Sequence, residues 1–144
     1  MKILFYGAKP YDREYFEREA ENHKNLEIHF LEDDLNGKTV KIAKEFDAVC
    51  AFVSSDAGTK VMNTLADYGI KLVLMRCAGF NNVDLKTARE RDITVLRVPG
   101  YSPEAVAEHA MALALAVNRH IHKGYIKVRE NNFALNGLIG RNFK

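Results

Sequence analysis

The sequence predicts an α/β fold, a doubly wound parallel sheet of five strands followed by one long helix, on three observations. Short runs of Ile, Leu, Val and Phe recur along the first hundred residues, segments of helical period lie between them, and after Pro99 the alternation gives way to a stretch rich in Ala and Leu. Repeated βα units favour parallel strands joined by right-handed crossovers. The expected strand order is flavodoxin-like, 2-1-3-4-5.

The first strand, residues 2–6, is a nearly continuous apolar run, the pattern of a strand covered on both faces. Strands at 48–53, 71–76 and 93–98 read the same way. The strand at 26–31 differs, because Leu26, Ile28 and Phe30 alternate with Glu27 and His29, as in a strand half exposed near an edge. Helices are expected between strands at 11–23, 39–46, 57–68 and 84–91. The one at 57–68 is the clearest: Val61, Leu65 and Tyr68 form one stripe, and Gly69 stands where a C-terminal cap belongs. Asp84 is placed to start the helix at 84–91.

Beyond Pro99 a single long helix is expected, with Ser102 as N-cap, Pro103 at the first helical position and Gly124 at its end. Glu104 and Glu108 near its start, and Arg119, His120, His122 and Lys123 near its end, suit the macrodipole. Its middle is apolar nearly all round, so it requires a neighbour on more than one side. Residues 129–144 carry Gly137 and Gly140 without a strong period and read as a connection.

An apolar fraction of 47% in 144 residues is enough for one domain with a real core. The 21 basic and 19 acidic residues are mixed along the chain, so no nucleic-acid footprint is seen. The apolar run after Lys2 is too short for a signal-peptide core, and the longest apolar segment, 105–117, is broken by Glu108 and His109. A cytoplasmic protein without membrane insertion is expected. Cys50 and Cys77 fall in or at the end of apolar strands and read as reduced core residues rather than a disulfide or metal ligands.

Ligands of open parallel sheets bind beyond the carboxyl ends of the strands. Residues 6–8, 52–56, 77–82 and 99–101 should meet there. The small side chains of Ala78 and Gly79 would let a ligand approach the backbone N–H groups, forming a concavity for an anion the size of a carboxylate; they equally suit an ordinary strand-to-helix turn. Asn81 and Asn82 read as residues that hold this turn through local hydrogen bonds. Tyr101 either points a hydroxyl at a ligand or simply packs, and Arg76 either neutralises an anion or reaches solvent. Ser54, Ser55 and Asp56 resemble a turn with an N-cap, and no nearby His supports a serine nucleophile. His109 lies between apolar residues and reads as a core or interface histidine; His120 and His122, two apart on a helix, point in different directions. The G-x-G-x-x-G fingerprint, the P-loop, H-E-x-x-H and C-x-x-C are all absent.

Residues 76–85, "RCAGFNNVDL", 98–113, "VPGYSPEAVAEHAMAL", and 118–140, "NRHIHKGYIKVRENNFALNGLIG", together with the opening "MKILFYGAKPYD", resemble the D-specific 2-hydroxyacid dehydrogenases, most closely their NAD-dependent D-lactate dehydrogenase branch. The resemblance covers essentially the whole chain. It implies a flavodoxin-like substrate-binding domain at 1–100, and at 101–144 a hinge, an interdomain and dimerisation helix, and the start of a connection to an NAD-binding Rossmann domain. It implies that Ala78 and Gly79 give backbone N–H groups to the substrate carboxylate and that Tyr101 contacts the substrate from the hinge. It also implies that Phe52 flanks the side chain of a small 2-keto acid such as pyruvate, that Val106 lies against the nicotinamide of NAD, and that a homodimer forms through the 103–122 helix. The family's catalytic Arg, Glu and His and its Gly-rich turn have no counterpart among these 144 residues. The reaction needs a proton donor and a positioned hydride source, so the isolated chain is expected to be inactive, with no catalytic residue of its own. The alternative is a non-catalytic dimerising binding module derived from such an enzyme.

Overall fold

The computed structural model describes residues 1–143 and divides the chain into two compact units, Met1–Pro99 and Gly100–Lys144. In the first unit β1 (Lys2–Phe5), β2 (Glu27–Phe30), β3 (Ala48–Ala51), β4 (Leu72–Met75) and β5 (Thr94–Arg97) form one sheet in the order β2-β1-β3-β4-β5. Every neighbouring pair is parallel, as the alternation of strand and helix requires.

Side chains alternate across the pleat, so each strand serves two cores. Leu4, Tyr6, Val49, Ala51, Val73 and Met75 face one side, where they meet Val61, Met62 and Leu65 of α2 (Thr59–Asp67) and Ala88 of α3 (Leu85–Glu90). Met62 and Leu65 are fully buried, each contributing about 1.5–3 kcal/mol relative to exposure. Ile3, Phe5, Ala48 and Cys50 face the other side, with Leu72 and Leu74 packed beside them. There Phe16 of α1 (Pro10–Ala20) meets Phe5 edge-on at 4.8 Å between ring centroids.

The alternation in β2 is seen as expected at the sheet edge. β5 is the other edge, as the expected order requires, but it is not covered on both faces as its apolar run suggested: Leu96 is 52% exposed. The segment expected to be a helix at 39–46 is a 3₁₀ helix, Val40–Glu45. Its buried residues, Val40 and Ala43, are three apart, the spacing that three residues per turn places on one side. α1 begins one residue earlier than expected, with Pro10 in its first turn and the Asp12 carboxylate accepting from the Lys9 N–H at 2.9 Å. It stops at Ala20, short of residue 23.

α2 starts at Thr59 because Ala57 is bridged in parallel to Val83. Its end is the one foreseen: Gly69 has φ +83°, its N–H donates to Ala66 O at 2.9 Å, and the Ile70 N–H donates to Leu65 O at 3.1 Å. Those two bonds make a Schellman motif. Asp84 caps α3, its carboxylate accepting from the Thr87 N–H at 3.0 Å.

In the second unit the single long helix is replaced by two, α4 (Pro103–Asn118) and α5 (Ile121–Arg129), with Gly124 inside the second. His120 between them has φ +54°. The break is held from outside the helix: the Asn118 side chain donates to Arg141 O at 2.6 Å and accepts from Arg141 N at 3.2 Å, while His120 Nε2 lies 3.2 Å from Ile139 O. A Cβ on Gly140 would collide with the Asn118 carbonyl, so this return of the chain needs glycine there. Ser102 occupies the N-cap position but in a left-handed conformation and without a side-chain cap bond. No residue of α4 is buried, and His109 is exposed, so the core reading of that histidine does not hold within this chain. Among the described residues no helix is long and apolar enough to cross a membrane.

Candidate functional site

The carboxyl ends of β1, β3 and β4 are tied together by Arg76. Its guanidinium turns inward, donating through Nη1 to Tyr6 O at 2.9 Å and through Nη2 to Gly7 O at 2.8 Å, with Nε 3.6 Å from the Asp12 carboxylate. It lies over the rings of Phe5 and Phe52 at 4.5 and 4.7 Å, and the side chain is 13% exposed. Both expectations for Arg76 are therefore corrected: it does not reach solvent, and its charge and donors are already engaged within the protein.

The aromatic at 52 is positioned twice over. Arg76 stacks on its ring, and Asn82 Nδ2 donates to its carbonyl at 3.1 Å and to Ser55 O at 2.8 Å. Asn82 thus joins its own turn to the loop after β3, a longer reach than the local bonds expected of it. Sequence reasoning missed this cross-link because its only local signal, an Asn in a turn, says nothing of partners some thirty residues away. Ser54 and Asp56 are spent on structure, the Ser54 hydroxyl donating to Asp34 at 2.8 Å and the Asp56 carboxylate accepting from the Gly58 N–H at 2.9 Å.

Between these anchors lies the turn from Cys77 to Gly79. The Cys77 carbonyl accepts from the Val98 N–H at 3.2 Å, the Ala78 carbonyl accepts from Arg97 Nη1 at 3.2 Å, and Cys77 Sγ donates to the Gly79 carbonyl at 3.2 Å. Among the described residues the N–H groups of Ala78 and Gly79 have no protein acceptor. Ala78 is half-buried and Gly79 exposed, and a Cβ built on Gly79 would meet only Val53 Cγ1, at 3.9 Å. Two adjacent backbone donors are therefore left without a protein acceptor at a turn whose Gly79 is exposed beside Val53. Hydrogen bonds from such donors to a charged acceptor are worth about 1.5–3 kcal/mol each.

The thiols take no part as nucleophiles. Both are free and buried, and desolvation raises the Cys50 pKa to about 12 and pushes that of Cys77 upward as well. Tyr101 and Val106 belong to the second unit, where both are exposed, Val106 at 71%. Of the expected site residues, Phe52, Ala78 and Gly79 lie in the first unit, where Gly79 stands beside Val53, the chain neighbour of Phe52.

The described residues do not fit a dinucleotide. Gly7 alone follows β1, and a Cβ there would lie 2.5 Å from an Asp34 carboxylate oxygen, so an acidic group stands where a pyrophosphate would have to sit. The N-terminus of α1 is already occupied by the Asp12 carboxylate, and Gly137 and Gly140 follow a helix rather than a strand. Phosphate-binding turns of this kind require glycines between a strand and the N-terminus of a helix.

Comparison with known proteins shows the family and the fold. Residues 3–134 match the family described as D-isomer specific 2-hydroxyacid dehydrogenase, catalytic domain. The chain is 50% identical over 140 residues to 2-hydroxyacid dehydrogenase homolog 1 of Schizosaccharomyces pombe, an alignment that covers 97% of this chain and 42% of that protein. It is also similar to the apo-structure of D-lactate dehydrogenase from Escherichia coli, with a TM-score of 0.84 and 44% identity over 98% of this chain and 44% of that one. A D-lactate dehydrogenase with NAD+ from Lactobacillus jensenii is matched at TM-score 0.69 and 28% identity, over 98% of this chain and 43% of that one. The chain thus spans less than half the length of the relatives it matches.

Proposed function

Because the chain belongs to the D-isomer specific 2-hydroxyacid dehydrogenase family, we propose that it forms the substrate-binding portion of an NAD-dependent D-lactate dehydrogenase, interconverting pyruvate and D-lactate. One observation carries the reading: two adjacent N–H donors, those of Ala78 and Gly79, stand without protein acceptors in the exposed turn after β4. A 2-keto acid carboxylate is an anion of the size they can hold, with its methyl group toward the Phe52 ring. In the same reading residues 1–100 are the substrate-binding domain, and 101–144 supply the hinge, with Tyr101 toward the substrate and Val106 toward the nicotinamide. NAD brings the hydride chemistry, and the chain's own residues do not cradle its phosphates. The isolated 144-residue polypeptide is therefore inactive, and its setting in the cell is cytoplasmic.

Amide-resolved NMR of the ¹⁵N-labelled 144-residue protein tests the binding reading. Added pyruvate should move the Ala78 and Gly79 amides downfield and saturate, while acetamide, a neutral amide of similar size, should not. If neither amide responds at tens of millimolar pyruvate, the carboxylate site is not there. Mixed with NADH and pyruvate, the same preparation should leave NADH absorbance at the blank rate; enzymatic oxidation in a preparation free of other dehydrogenases would contradict the inactivity.

A second reading, a dimerising binding module without catalysis, is favoured by α4, whose apolar residues are all unburied in this chain. Both readings include a homodimer through this helix. They part on gel filtration with a full-length relative: co-elution with intact subunits belongs to the binding module, and a monomer both alone and in the mixture would sink it.

A further inference from the structure

Two cations stand near the turn that presents the unpaired donors, and they are used differently. Arg76 is enclosed by carbonyls, a carboxylate and two rings. Arg97, at the end of the exposed edge strand β5, has no carboxylate partner among the described residues. Its Nη1 donates to the carbonyls of Ala78 and Pro99, each at 3.2 Å, and its guanidinium lies 5.2 Å from the Phe80 ring.

The peptide unit is planar and trans, so the carbonyl of Ala78 and the N–H of Gly79 point in opposite directions from one rigid plane. A guanidinium on the carbonyl fixes the rotation of that plane and thereby the aim of the N–H on its far side. It also polarises the amide, and hydrogen bonds in such a chain strengthen one another by roughly 10–30%. The preceding peptide is held in the same way, but by a main-chain group: Val98 N–H on the Cys77 carbonyl sets the Ala78 N–H. Of the two peptide units, the one ending in Gly79 is anchored by a side chain.

We propose that Arg97 is the positioning residue of the anion site, holding and polarising the Ala78–Gly79 peptide from behind so that the Gly79 N–H receives a carboxylate the guanidinium itself does not touch. The proposal rests on the reading that Ala78 and Gly79 bind the carboxylate of a 2-keto acid. It assigns to a strand-edge arginine a role that its exposure alone would give to solvent.

The test compares the unsubstituted 144-residue protein with R97M and R97K, by amide NMR and pyruvate titration. Arg97 is exposed, so neither substitution removes a core contact. In R97M the ligand-free Gly79 amide proton should move upfield while the Ala78 amide stays in place, and pyruvate should bind about three- to fivefold more weakly, as expected when the Gly79 N–H loses its polarisation and its fixed aim. R97K keeps a cation within reach of the same carbonyl and should bind more tightly than R97M. If pyruvate leaves both amides of the unsubstituted protein unmoved, the carboxylate reading falls and this proposal falls with it. If pyruvate moves them but R97M binds within twofold of the unsubstituted protein, or no more weakly than R97K, the proposal alone is overturned.

Discussion

Asn82 and Gly7 show how single residues set the shape of the strand ends. The Asn82 amide satisfies the carbonyls of both Phe52 and Ser55. Replacing it with Ala should cost about 1–3 kcal/mol, the usual result of orphaning partly buried acceptors, and should lower the urea midpoint without changing the slope. Gly7 has φ +64° and sits against the Asp34 carboxylate, so Gly7→Ala should destabilise by roughly 1–2 kcal/mol from the left-handed backbone alone. Equilibrium denaturation reads this directly; an unchanged midpoint would mean that the turn relaxes freely. Cys50 and Cys77, buried and held protonated, should resist an aromatic disulfide reagent at pH 8 in the native protein and react fully in denaturant. Their buried state was legible from the apolar strands around them. The inward turn of Arg76 was not, because its partners at Tyr6, Gly7 and Asp12 are distant in sequence and local pattern carries no trace of them.

Among the elements, α3 offers the sharpest test. Hydrogen bonds from the hydroxyls of Thr59 and Thr87 and the Thr87 N–H hold the Asp84 carboxyl at about 2, below its ordinary 3.8. A carboxylate lowered on folding stabilises the fold above its ordinary value, and that contribution is lost as the pH falls through the folded value. The urea midpoints of the unsubstituted protein and Asp84→Asn should therefore differ at neutral pH and converge as the pH drops from 3.8 toward about 2. A constant difference across that window would assign the cap's effect to something other than its charge. The central strands were legible because continuous hydrophobic runs report burial on both faces, β2 by its alternation, and the parallel arrangement by the repeated βα units. The division of the long helix was not: Asn118, Arg119 and His120 carry no breaker of their own, and the break is fixed by bonds to Ile139 and Arg141. Likewise the 3₁₀ geometry of the short segment after β2 was not legible, because burial of Val40 and Ala43 three apart suits an α-helix equally.

At the scale of the whole molecule, the apolar character of α4 was legible and its partner was not, since periodicity shows which face is apolar and never what covers it. Met111 and Leu113 are exposed there. Light scattering behind gel filtration should show mass rising with protein concentration, and Met111→Glu combined with Leu113→Glu should return the protein to a monomer with its far-ultraviolet circular dichroism intact. A monomer at every concentration before substitution would remove α4 as an association surface. The residues at 78 and 79 were legible as small side chains in a turn, whereas the anchoring of the Ala78 and Cys77 carbonyls by Arg97 and Val98 was not.

That anchoring has a consequence for how the molecule comes into being. All strand pairs are parallel, so each pairing waits for a crossover to be synthesised. β1 borders both β2 and β3, and those three strands can assemble once Ala51 has left the ribosome. The carbonyls of Cys77 and Ala78 acquire their partners only when Arg97 and Val98 emerge. During translation the sheet can thus begin from its β2 edge, and the turn from Cys77 to Gly79 is made well before its carbonyls are anchored.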